Sequence, residues 1–152
     1  EQLYKSHNFA SIDFQKYVQT LTANLFRSFP QHSSSIKYNI LIKDIVLSLE
    51  IAIPLGLALN EMISNALKYA FKDNPSAPGL LEISIEKKNN NLIVKVKDNG
   101  SGLPKDFKID QAKTLGMTLI STLAEQLGAK LDISSKEGKG TEITLTIKNG
   151  VK

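Results

Sequence analysis

Apolar positions recur along the chain with two alternating periods, and the switches between them outline the elements. From Ser11 to Phe29, Phe14, Tyr17, Val18, Leu21, Leu25 and Phe29 fall at helical spacing, with Ser11 or Asp13 available as a cap and Pro30 as a stop. Glu1 to Ala10 has no clear period and reads as the tail of a preceding helix or linker. Ile36, Tyr38, Ile40 and Ile42 alternate as a strand, and Ile45, Leu47 and Leu49 repeat the alternation after Lys43 and Asp44, which predicts a hairpin. Pro54 suits a first helical turn, so the next helix is expected from Pro54 to about Phe71, with Leu55, Leu59, Met62, Ile63, Ala66 and Ala70 on its apolar face.

Two prolines and a glycine break the pattern between Asp73 and Gly79. Leu81, Ile83 and Ile85 then alternate with polar residues, as do Leu92, Val94 and Val96, and Asn89, Asn90 and Asn91 turn one strand into the other. After a loop from Gly100 to Thr114, Leu119, Ile120, Leu123 and Leu127 mark a helix that Gly128 stops. Two strands close the chain, Leu131 to Ser135 and Thr141 to Lys148, with Ile143, Leu145 and Ile147 on one face. Helices and strands mix without strict alternation. The expected class is α+β, a two-layer α/β sandwich with a mixed, mostly antiparallel sheet and helices on one face.

Composition narrows the function classes rather than the fold. The chain has 152 residues, of which 41% are hydrophobic and 22% charged, the balance of one ordinary globular domain. The net charge of +4 comes from scattered lysines, with no basic run to track a nucleic acid, so no nucleic-acid partner is expected. The absence of cysteine removes disulfide frameworks, cysteine nucleophiles and thiolate metal sites, and fits a reducing compartment. No apolar run is long enough to cross a bilayer, so no direct membrane insertion by this chain is expected.

Four clusters carry candidate chemistry. On the long helix Glu61, Asn65 and Lys68 stand at i, i+4 and i+7, on one side and roughly opposite the apolar stripe. That row is either a wet polar face with an exposed ion pair, or a site in which the Asn65 amide oxygen ligates Mg²⁺. In the second case Lys68 meets a phosphate and Glu61 orients or deprotonates a nucleophile. Asp98 shares parity with Leu92, Val94 and Val96, so its carboxylate points inward where a Gly-x-Gly turn begins. It is either a turn-forming aspartate or a buried acceptor for a donor such as the adenine amine.

Thr141 shares the inward parity of Ile143 and is either plain β-structure or a hydroxyl near a base. Gly100 and Gly102 permit positive φ and close approach, and Gly116, next to Leu115 at a helix start, could present N–H groups to a phosphate. Ordinary loop glycines are the alternative.

Taken in order, these clusters resemble the nucleotide-binding boxes of the GHKL ATPases, the group of DNA gyrase, the heat-shock chaperone ATPase, histidine kinases and mismatch-repair ATPases. Leu57 to Phe71 looks like the N box, and Asp98-Asn99-Gly100-Ser101-Gly102-Leu103-Pro104 like the first glycine box. Thr114-Leu115-Gly116-Met117 through Gly128 looks like the second, and Gly140-Thr141 like the terminal Gly-Thr element. Within that group the Ala-Ile-Pro-Leu-Gly-Leu run before Asn60, the Asn-Ala-x-Lys-Tyr-Ala-Phe ending and a short lid are most similar to sensor histidine kinases.

The resemblance implies the Bergerat fold over residues 11–150, with residues 1–10 as the tail of an upstream dimerisation region. It implies ATP and Mg²⁺ as cofactors: Asn65 on the metal, Asp98 on the adenine amine, Lys68 and Tyr69 on phosphates or base, Glu61 as catalytic base. A lid from Leu103 to Leu115 should close over the triphosphate. The implied partners are an upstream histidine-bearing dimerisation domain, absent from this chain, and a response regulator reached through it. The implied setting is cytoplasmic, with any membrane attachment made through absent segments. Neither His7 nor His32 lies in a phosphoacceptor context. The fragment alone is therefore expected to bind ATP without phosphorylating itself. A stand-alone serine kinase of the anti-sigma-factor type and a non-catalytic nucleotide-binding module are the rival expectations.

Overall fold

The computed structural model describes residues 11–29, 36–43, 45–71, 79–102, 115–136 and 138–148. In chain order these form β1 (Ser11–Asp13), α1 (Phe14–Ser28), β2 (Ile36–Ile42), β3 (Val46–Ser48), α2 (Leu49–Asn65) continued by a π-helical segment (Ala66–Ala70), β4 (Gly79–Lys88), β5 (Asn91–Asp98), α3 (Leu115–Gln126), β6 (Ala129–Lys136) and β7 (Gly140–Ile147). Five strands make one sheet in the order β2-β4-β5-β7-β6, with β2 parallel to β4 and every other pair antiparallel. This is the expected mixed, mostly antiparallel sheet.

The alternation read from the sequence sets which face is covered. Leu81, Ile83, Ile85, Leu92, Val94, Val96, Ile143, Leu145 and Ile147 are buried and form one core with Leu55, Leu59, Met62 and Ile63 of α2 and Ile120 and Leu123 of α3. Each such side chain contributes about 1.5–3 kcal/mol by leaving water. The opposite face carries Glu82, Lys97 and Glu142 side by side across three strands, so unlike charges neighbour each other on the uncovered side. The β4–β5 hairpin turns on Asn89 and Asn90, both with positive φ (53° and 67°), the conformation that a two-residue hairpin requires and asparagine tolerates. Gly128, with φ +64°, ends α3 as anticipated, its N–H bonding to the carbonyl of Glu125.

Two local expectations are corrected, and a choice between two caps is settled. The strand around Leu47 does not form a hairpin with β2; it pairs antiparallel with β1, Ser11 opposite Ser48 and Asp13 opposite Val46. The pairing edge of β2 belongs to β4 in parallel, which demands a crossover, and α2 supplies it. Because Ser11–Asp13 are spent in that ribbon, α1 starts at Phe14, and of the two expected caps it is Asp13 that serves, accepting from the Lys16 N–H at 3.3 Å. The other correction is that α2 begins at Leu49, so Pro54 sits inside the helix. The N–H that it lacks would have served the carbonyl of Glu50, an exposed residue of the first turn. Among the described residues no helix is long and apolar enough to cross a membrane. The tail 1–10, His7, His32 and the lid from residue 103 to 114 lie outside the described residues.

Candidate functional site

The end of the long helix is where the site begins. At Asn65 the α-helical turns give way to the π turn Ala66–Ala70, in which residues five apart rather than four come into line. Such single π turns gather at functional sites. Asn65, Ala66, Tyr69 and Ala70, around this change of turn, line one wall of a cavity of about 260 Å³. Met62, one turn earlier, continues that wall. Asn65 thus sits at the margin of the apolar stripe and not opposite it. Glu61 is half-buried and Lys68 exposed, and neither lines the cavity. Tyr69 is 60% exposed and so stands at the rim.

The sheet supplies the facing wall. Val96 and Asp98 of β5, Thr141 and Ile143 of β7 and Ile133 of β6 all line the cavity, together with Ser101 and Gly102 from the turn that follows β5 and Met117 of α3. Most of these groups are apolar, and the volume falls below the roughly 300–1,000 Å³ of a pocket for a drug-sized molecule. The walls therefore suit one flat ring system, with anything larger left to the opening.

Asp98 is the charged residue among the lining groups and is only 7% exposed. Its Oδ1 accepts two backbone hydrogen bonds, from the Gly100 N–H at 2.9 Å and the Thr141 N–H at 3.3 Å. Oδ2 has no partner among the described residues, and since it is not a sealed orphan it opens on the cavity. Burial raises the carboxyl above its ordinary value of 3.8, while the N–H groups of Gly100 and Thr141 pull it back down.

The sign of the pH effect follows from that shift. Above the raised value Oδ2 is an acceptor; below it the proton takes Oδ2, because Oδ1 is held by two donors, and the cavity faces an O–H instead. Affinity for a ligand that donates to Asp98 is expected to fall as pH drops through the raised value. Stability should move oppositely, because the folded chain holds this proton more tightly than the unfolded one. The Asp98 contribution therefore improves as pH falls from the raised value to 3.8. Titrating ligand affinity and melting temperature over that window checks both signs, and parallel trends would refute the assignment.

Two glycines make these walls meet. A Cβ on Gly100 would lie 2.1 Å from the carbonyl oxygen of Ala70, so the turn after β5 rests directly on the π segment. There the Ser101 N–H bonds to the Ala70 carbonyl at 2.8 Å, and the Ser101 carbonyl accepts from the Gly138 N–H at 2.7 Å. Gly140 has φ +105° and would place a Cβ 2.0 Å from the Asp98 carbonyl oxygen. Thr141, half-buried, keeps its hydroxyl 3.0 Å from that of Ser135.

Of the residues singled out from sequence, Asn65, Tyr69, Asp98, Gly102 and Thr141 share the one cavity, and Gly100 packs at its edge. Leu115 and Gly116 lie in the first turn of α3, immediately before the cavity-lining Met117. Ile133 is a lining residue that the motifs do not single out. Its signal is nonetheless there, since it stands directly across from Ile143 in the β6–β7 ladder.

Comparison with known proteins agrees with this architecture. The family described as histidine kinase-, DNA gyrase B-, and HSP90-like ATPase matches residues 50–151, more than half of the chain. Blue-light-activated histidine kinase 2 of Erythrobacter litoralis is 32% identical over 113 residues, which cover 74% of this chain and 32% of that protein. The sensor histidine kinase PdtaS of Mycobacterium tuberculosis is 31% identical over 106 residues, 69% of this chain and 21% of its own length. The matched region thus spans about a third or less of these curated relatives. Among solved structures, a blue-light activated histidine kinase of Erythrobacter litoralis superposes with a TM-score of 0.81 at 26% identity, over 90% of this chain and 42% of that one.

Proposed function

Because the chain belongs to the histidine kinase-, DNA gyrase B- and HSP90-like ATPase family, we propose that it is the Mg-ATP-binding catalytic domain of a sensor histidine kinase, which hands the γ-phosphate of ATP to a histidine on an upstream dimerisation domain. The observation that carries this reading is the buried Asp98, whose Oδ2 opens on a cavity of ring-system size. An adenine seated there gives its exocyclic amine to Oδ2, and Thr141 adds a hydroxyl beside the base. Tyr69 flanks the rim.

The phosphates then leave through the opening toward the end of α2 and the start of α3. Lys68, exposed on the π segment, reaches them as a point charge. Gly100 and Gly102 let the main chain approach, and the N–H groups around Leu115 and Gly116 face the anion at a helix N-terminus. Asn65 lines the cavity, and its one amide oxygen would hold Mg²⁺, which takes few protein oxygens and completes its shell with phosphates and water. When bound there, Mg²⁺ would supply positive charge to offset that of the phosphates. Glu61, one turn before Asn65, receives the proton of the attacking imidazole. What remains is positioning and charge neutralisation. Residues 11–150 form the ATPase domain, residues 1–10 lead in from the dimerisation region, and a response regulator takes the phosphoryl group from that region. The domain works on the cytoplasmic side.

The test is phosphotransfer in trans. Incubated with γ-labelled ATP, Mg²⁺ and a purified helical hairpin that bears the acceptor histidine, the chain should label the hairpin with an acid-labile, base-stable phosphoramidate and leave itself unlabelled. Acid-stable label on a serine-bearing acceptor would assign it to the anti-sigma type. Tight Mg-ATP binding with no transfer to any hairpin would make it a nucleotide switch.

A further inference from the structure

The chain has two methionines, Met62 and Met117, and both line the cavity. Met62 is buried in the core. Met117 has a polar contact: its Sδ accepts from the Asn65 Nδ2 at 3.9 Å, joining α3 to the end of α2 across 52 positions of sequence.

A carboxamide has two ends of nearly the same shape and opposite hydrogen-bond character, the NH₂ a donor and the oxygen an acceptor. Steric fit alone does not choose between them. A thioether does, because it accepts weakly and cannot donate. The sulfur of Met117 therefore admits the amide nitrogen of Asn65 and rejects its oxygen, leaving Oδ1 turned away from α3.

We infer that Met117 is a positioning residue that holds the Asn65 amide with its oxygen presented for Mg²⁺. The inference rests on the Mg-ATP reading given above. It also couples two parts of the site. Met117 is the third residue of α3, so the helix whose first turn meets the phosphates is the one that orients the metal-binding amide.

The test is the ratio of ATP affinity with saturating Mg²⁺ to that in EDTA, measured by calorimetry on the intact chain. Met117→Leu keeps the volume and loses the acceptor. Its ratio should fall roughly three- to tenfold, the effect of one net hydrogen bond, whatever change in packing the metal-free affinity registers. In the Asn65→Asp background, where both side-chain ends are oxygens, adding Met117→Leu should change the ratio little.

A wild-type ratio in Met117→Leu overturns the inference alone. So does an equal loss with and without metal, which would make Met117 a packing residue. Absence of any metal enhancement in the wild-type chain overturns it together with the Mg-ATP reading.

Discussion

Asp98→Asn should lower ATP affinity by about 10- to 100-fold while leaving the fold intact, the scale of a hydrogen bond to a charged group at about 1.4 kcal/mol per tenfold. The substitution preserves the shape and one oxygen, which can keep accepting from the Gly100 and Thr141 N–H groups. Those two donors then dictate the flip of the amide, and its NH₂ is forced onto the side that opens on the cavity. A donor now faces the exocyclic amine of adenine. Stability at neutral pH should hold or rise slightly, because burial disfavours the ionised carboxyl that the variant removes. Calorimetry with ATP and a thermal melt read the two effects separately. Wild-type affinity in a folded variant would show that Asp98 does not contact the base. A large loss of stability would show that its charge serves the fold.

The second large effect is expected at Gly140→Ala. Its φ of +105° disfavours any L side chain, at a cost of about 1–3 kcal/mol for the backbone alone. The new Cβ would also fall 2.0 Å from the oxygen and 2.8 Å from the carbon of the Asp98 carbonyl, so the end of β5 and the start of β7 must part. A destabilisation of about 3 kcal/mol or more should follow, seen as a melting temperature lower by roughly 6–12 °C, with loss of nucleotide affinity as Asp98 shifts. Gly128→Ala is the matched control. That glycine also has positive φ (+64°), but nothing lies within 4 Å of the point where its methyl group would stand, so only the backbone cost applies. If both variants melt alike, the close approach at Gly140 carries no structural weight.

How much of this can be read from the residues alone depends on whether a signal is local. Period-two alternation is local, and it yields β4, β5 and β7 together with their buried faces, including the inward direction of Asp98. The asparagine turn and the Gly128 stop are likewise legible, since each needs only its own backbone conformation. Partnership between distant segments is not. Ser11–Asp13 are three residues that also fit the first turn of a helix, so nothing in them announces that they pair with β3.

Pro54 suggests a helix start because a proline costs least there, yet a carbonyl on an exposed turn can tolerate its missing partner. Ala66–Ala70 fits α-helical spacing as well as π, so the change of turn leaves no trace in the sequence. The clusters around Asn65, Asp98 and Thr141, far apart in the chain, do converge on one cavity. The contact between Asn65 and Met117, 52 residues apart, leaves no periodic trace.

The seam in which Ser101 bonds by its N–H to Ala70 and by its carbonyl to Gly138 is made entirely of main chain. Helix, turn and sheet are therefore fastened there by peptide groups that every amino acid except proline can offer in full. Mutational drift at position 101 is cheap for the scaffold, whereas its neighbour at 100 has no such latitude. A ring seated there, as proposed, would meet walls already joined by main chain, so little ordering entropy would be spent at that end of the molecule.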